Sequence, residues 1–100
     1  MEIIQLYYPA TTEFTGKALA GVVGSGDLEA IFEPETQSDL MVKITTSVDG
    51  SKLRWQNLFN RLNEQIKLPA GKLEINDFGA TPGVARLRIE QVFEEASNAK

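Results

Sequence analysis

The residues with the clearest capacity for chemistry lie in the run Gly21-Val22-Val23-Gly24-Ser25-Gly26-Asp27-Leu28-Glu29, where a short apolar stretch breaks into glycines and presents Ser25 between two of them. Without a Cβ, Gly24 and Gly26 let the backbone turn tightly and let a large molecule come close to the serine hydroxyl. Ser25 is therefore the candidate nucleophile or point of modification. Taken alone, Gly-Ser-Gly reads more often as a plain tight turn, so the rest of the chain has to decide between the two.

Composition narrows the chemistry. The 100 residues contain no cysteine and no histidine. Disulfides, thiolate nucleophiles and Cys-ligated zinc are thereby excluded, and a serine triad or a His-containing metal site cannot be built from this chain alone. No metal site is expected. The net charge of −4, with the ten basic residues scattered along the sequence, argues against nucleic acid as a partner. With 42% hydrophobic and 24% charged residues the composition is that of an ordinary globular chain. The length suits one domain over residues 1–100 with one modest core. The start, Met1-Glu2-Ile3-Ile4-Gln5, has no secretory pattern and no stretch reaches membrane-spanning length, so a cytoplasmic location without membrane association is expected.

The elements that must position Ser25 follow from hydrophobic period. Residues 3 to 8 alternate as a strand, and a second run from Lys17 to Val23 leads into Gly24-Ser25-Gly26-Asp27, a turn of hairpin length. Leu28, Ala30 and Phe32 share a face of a third strand, closed by Glu33-Pro34-Glu35, and residues 40 to 48 alternate as a fourth. The period then changes. Ser51 is the expected N-cap of a helix whose stripe is Trp55, Leu58, Phe59, Leu62 and Ile66, stopped by Pro69 and Gly71. A fifth strand runs from Lys72 to about Asn76. Thr81-Pro82 then opens a second helix with Ala85, Ile89, Val92, Phe93 and Ala96 as its apolar stripe, and a strand over residues 84 to 89 is the competing reading. The order ββββαβα predicts an α+β fold: a two-layer sandwich of about five mostly antiparallel strands covered by two amphipathic helices.

Several motifs dissolve on inspection. Gly24-x-Gly26-x-x-Glu29 ends in glutamate and precedes a strand, unlike a dinucleotide-binding turn. Asp77-Phe78-Gly79 spells the magnesium triplet of kinases without any other kinase part, a coincidence of sequence. Trp55 and Phe59 are core residues by spacing, and Glu94 and Glu95 belong to a solvated helix face.

Three separated blocks, Gly21 to Glu29, Thr46-Ser47-Val48-Asp49-Gly50-Ser51 and Asp77-Phe78-Gly79-Ala80-Thr81-Pro82-Gly83, resemble in order and spacing the acyl carrier protein, or delta subunit, of biotin-independent malonate decarboxylase. The resemblance covers essentially the whole chain. The acyl carrier subunit of citrate lyase is related, but its serine lies in a different local sequence. The helical carrier proteins are not the match, since they hold their serine in Asp-Ser-Leu, a tripeptide absent here.

The resemblance implies a non-catalytic carrier. Ser25 would hold 2'-(5''-phosphoribosyl)-3'-dephospho-CoA through a phosphodiester bond, with Gly24, Gly26 and Asp27 supporting the turn. The acetyl and malonyl thioesters on that arm would pass between an acyl transferase (alpha) subunit and the decarboxylase beta and gamma subunits. A dedicated transferase would attach the arm, and a malonyl transferase would be a further partner. The chain's lack of a thiol of its own fits an imported one. An acyl carrier of a citrate-lyase-like complex, an unmodified assembly subunit and a small serine hydrolase are the alternatives.

Overall fold

Alternating burial along Glu2–Pro9, Leu28–Pro34, Asp39–Thr46 and Gly71–Asp77 turns one face of each of these strands into a shared core. In β1 (Glu2–Pro9), Ile4 and Leu6 are buried while Ile3 and Tyr7 are exposed. Strands β3 (Leu28–Pro34) and β4 (Asp39–Thr46) bury Leu28, Ala30 and Phe32, and Leu40, Val42 and Ile44. The computed structural model describes residues 1–10, 21–24, 27–35 and 38–98, and adds β2 (Gly21–Gly24), α1 (Lys52–Gln65), β5 (Gly71–Asp77) and α2 (Pro82–Asn98). Of the run read as a strand from Lys17 to Val23, residues 17–20 lie outside the described part.

The sheet order is β1-β4-β5-β3-β2. Pairings β1–β4, β3–β5 and β2–β3 are antiparallel, but β4 and β5 run parallel, with Ile44 opposite Ile75 and Thr46 opposite Asp77. The sheet is therefore mixed. The reason is connectivity: β4 and β5 are joined through α1, and a helical crossover returns the chain in the same direction.

Both helices cover the same face of the sheet. Buried Trp55, Phe59 and Leu62 of α1 and Ala85, Ile89, Val92, Phe93 and Ala96 of α2 join the strand residues in one cluster. α2 lies over β2 and β3, whereas α1 lies nearer β1. Phe93 meets Phe32 edge-on at 5.5 Å, and Phe59 stacks on Tyr8 at 6.1 Å between ring centres. Burial pushes the Tyr8 phenol above its ordinary pKa, and its hydroxyl donates to Asn60 Oδ1 at 2.8 Å. Residues 84–89 are helical, which settles the competing strand reading.

Several boundaries differ from expectation for physical reasons. α1 ends at Gln65, before Pro69, and Ile66 becomes extended and partly exposed instead of continuing the stripe. The early exit lets Leu68 and Ala70 drop into the core ahead of β5. Ser51 occupies the N-cap position, but its hydroxyl donates to Val48 O at 3.0 Å and makes no cap bond. Thr81 does cap α2, accepting from Val84 N–H at 3.3 Å. β3 continues through Glu33 to Pro34, where a missing N–H is tolerated because the ladder ends there. β4 stops at Thr46, two residues before the expected end, as Ser47 and Val48 enter the turn to α1.

Gly71, at the start of β5 opposite Pro34 of β3, has no room for a side chain. Its φ is +149°, and a Cβ there would sit 2.3 Å from Glu33 O and 2.9 Å from Pro34 Cα. Gly71→Ala combines backbone strain with a clash against main chain, and should lower stability by about 2–4 kcal/mol. Gly50→Ala, where the added methyl meets nothing within 4 Å, should lose no more than about 1–2 kcal/mol from its φ of +74°. Urea denaturation of the two variants side by side measures the difference.

Candidate functional site

Ser25 and Gly26 lie outside the described residues, and their chain neighbours define the site. Gly24 is the last residue of β2, an edge strand, and pairs with Glu29. Asp27 is exposed and precedes Leu28, whose side chain is fully buried. The β2–β3 hairpin thus ends at the border of the sheet, with the core beginning one residue after Asp27.

A second segment is brought against this end. Phe78 N–H donates to Asp27 O at 2.8 Å, and Asn76 Nδ2 donates to Glu29 Oε1 at 3.1 Å. Both donors flank Asp77, which pairs with Leu28 on one side and Thr46 on the other. The Asp77 side chain is only 2% exposed, and both carboxyl oxygens have donors. Oδ2 accepts from Thr46 Oγ1 at 2.8 Å, and Oδ1 accepts from the N–H groups of Gly79 and Ala80 at 3.1 and 2.9 Å. The Asp77 carbonyl accepts from Ser47 N–H at 3.1 Å. Gly79, at φ +108°, takes the backbone conformation this turn needs.

Asp77-Phe78-Gly79 therefore has a structural role that its reading as mere coincidence missed. Asp77 locks the turn, Phe78 stands 63% exposed beside Asp27, and Gly79 lets the chain reverse toward α2. A signal was present in the sequence: Leu73, Ile75 and Asp77 share one strand face, so a carboxylate there had to be buried and bonded. The basic residues are scattered along the sequence, but the fold brings three of them together. Arg54 and Arg61 on α1 and Arg86 on α2 line a common groove. Among the described residues no three Asp or Glu side chains are grouped to hold a metal ion.

Replacing the Thr46 hydroxyl leaves one Asp77 oxygen without its donor inside the core, and also removes the acceptor of Val48 N–H at 3.0 Å. Thr46→Val should lose about 1–3 kcal/mol in thermal or urea unfolding and speed hydrogen exchange at Phe78 N–H, the bond that ties this turn to Asp27.

Comparison with known proteins agrees with this architecture. The family described as "Malonate decarboxylase delta subunit (MdcD)" matches residues 15–96. The malonate decarboxylase acyl carrier protein of Klebsiella pneumoniae is 62% identical over 99% of this chain and all of its own length. That of Pseudomonas fluorescens SBW25 is 50% identical over 95% of this chain and 96% of its own. A chain in the crystal structure of a Pseudomonas malonate decarboxylase hetero-tetramer in complex with malonate superposes with a TM-score of 0.83 at 51% identity, covering 96% of this chain and 99% of that one. Three blocks in register, a shared fold and full-length identity together make this chain a member of the malonate decarboxylase acyl carrier protein, or delta subunit, family.

Proposed function

We infer that this chain, as the acyl carrier subunit of a malonate decarboxylase, holds its acyl group on Ser25 through a covalently attached phosphoribosyl-dephospho-CoA arm. The observation that carries the reading is position: the glycine-flanked serine follows the last residue of an edge strand, and the next described residue, Asp27, is exposed. An attaching transferase can approach such a hairpin from outside the sheet without disturbing the core. The absence of histidine leaves the chain without the usual base for activating a serine, so the proton of the Ser25 hydroxyl is removed by the attaching enzyme.

The arm, when bound, supplies the thiol on which acetyl and malonyl groups ride as thioesters, a function no side chain of this cysteine-free protein can serve. The protein's own part is to anchor and present. Ser25 Oγ provides the ester oxygen toward phosphorus, and Gly24 and Gly26 clear the approach. The Asp27 carbonyl, fixed by Phe78 N–H, holds the hairpin end in place. Residues 1–100 act as one carrier domain that visits an acyl transferase (alpha) subunit and the decarboxylase beta and gamma subunits. A tethered acyl group reaches each active site at high effective concentration, so docking needs to be only weak and releasable. The carrier catalyses neither transfer nor decarboxylation.

Ser25→Ala removes one hydroxyl group and should leave urea and thermal unfolding within about 0.5 kcal/mol of the parent. The same variant, co-expressed with the attaching enzymes and assembled with the other subunits, should show no malonate-dependent release of carbon dioxide. Full activity in that assembly would make this an unmodified assembly subunit instead.

A further inference from the structure

Three of the four arginines of this net-acidic chain open onto one groove. Arg54 and Arg61 stand two turns apart on α1, with Asn57 between them, and Arg86 faces them from the second turn of α2. Gly83 closes the groove at the first turn of α2, where its backbone N–H has no acceptor within the helix. The open groove has a volume of about 340 Å³, and among the described residues no acidic side chain lines it. Arg86 is held in place by Glu90, 2.6 Å from its Nε, and by Gln65. Arg54 and Arg61 are exposed and make no ion pair among the described residues. Arginines on two walls of one groove, with an amide and a helix N-terminus also in the lining, suit the oxygens of a phosphodiester or diphosphate.

The groove runs along α1 from Arg54 to Arg61, and its Pro82–Gly83 part lies at the end of the molecule that carries the candidate site. α1 and α2 begin shortly after Thr46 and Asp77, which are paired, and Phe78 is bonded to Asp27 at 2.8 Å. Pro82, at the groove mouth, is four residues from Phe78 and hence within about 14 Å of it by chain length.

We propose that this groove seats the phosphates of the arm carried on Ser25, so that the arm rests against its own carrier between visits to partner subunits. The proposal depends on the reading of Ser25 as the attachment point. A groove this small takes a phosphorylated sugar or diphosphate more readily than a protein segment, and its charge opposes that of the chain as a whole. Weak intrinsic affinity is sufficient: a ligand tethered nearby experiences millimolar effective concentration, so binding that is only millimolar in trans gives substantial occupancy in cis, and the arm remains free to leave. Arg54, Arg61 and Asn57 are thereby positioning residues for the resting arm.

The test compares ¹⁵N-labelled apo and loaded chains by NMR, with the loading state of each sample fixed by intact mass. The loaded chain should show shifted amide and arginine side-chain signals at Arg54, Asn57, Arg61, Gly83 and Arg86. Inorganic diphosphate added to the apo chain should move the same signals at millimolar concentration. Arg54→Gln with Arg61→Gln should abolish the shifts in the loaded chain and weaken diphosphate binding by roughly tenfold or more, with an unchanged far-ultraviolet CD spectrum. Raising the salt in the parent protein should reverse the shifts independently of any substitution. A sample with the arm on Ser25 and unmoved groove signals overturns the seating while leaving the carrier reading intact. The absence of any arm in native material overturns both. Arginine variants that weaken only the binding of partner subunits assign the groove to docking and overturn the proposal as well.

Discussion

Burying a carboxyl group is unfavourable by several kcal/mol unless its oxygens are matched by donors, and at Asp77 the donors come from two separate parts of the chain. Thr46 reaches across from β4, and Gly79 and Ala80 fold back from the following turn. The backbone beside the carboxylate completes the arrangement, because Phe78 N–H bonds to Asp27 O and Asp77 O receives Ser47 N–H. The Asp77 side chain thus joins the end of β4 to the turn into α2, and the backbone beside it ties that turn to the start of β3. Each of these segments borders the candidate site or leads into a helix beside it.

The parallel pairing of β4 with β5 gives this network its direction. Because both strands finish at the same border of the sheet, the helices that follow them begin there too, as does β3. The N-terminal turns of α1 and α2 and the hairpin flanking Ser25 thus share one end of the molecule. The opposite end carries Gly71, whose backbone nearly touches that of Glu33 and Pro34. The two ends differ. One holds β3 and β5 in close main-chain contact, and the other gathers the start of β3, the ends of β4 and β5 and the first turns of both helices.

Local features of the sequence expressed local structure faithfully. The stripe from Ala85 to Ala96 is buried at each expected position, and Thr81-Pro82 begins α2 as a cap followed by the first helical residue. In α1 the stripe holds through Leu62 and fails at Ile66, because the chain leaves the helix to bury Leu68 and Ala70. What escaped notice was non-local. The parallel β4–β5 pair was implied by a strand-helix-strand order, but choosing strand neighbours requires knowing which edges remain free. Arg54 and Arg61, seven residues apart, already marked one side of α1; Arg86 could join them only once the two helices lay side by side. Asp77 opens the third block of the resemblance and its inward register is visible beside Leu73 and Ile75, but the donors that satisfy its carboxylate, from Thr46, Gly79 and Ala80, are assembled only by the fold. Ser25 is the expected attachment point by its glycines and its block resemblance, and the structure adds that the strand preceding it lies at the edge of the sheet among the described residues.

The central claim is that Ser25 bears the arm, and intact mass measurement of the protein from its native host, grown on malonate, tests it most directly. The account predicts a mass increment equal to a phosphoribosyl-dephospho-CoA residue, with or without an acyl group, and fragmentation of the peptide spanning residues 18–43 should localise it to Ser25. An unmodified Ser25 in material that is actively consuming malonate would contradict the account.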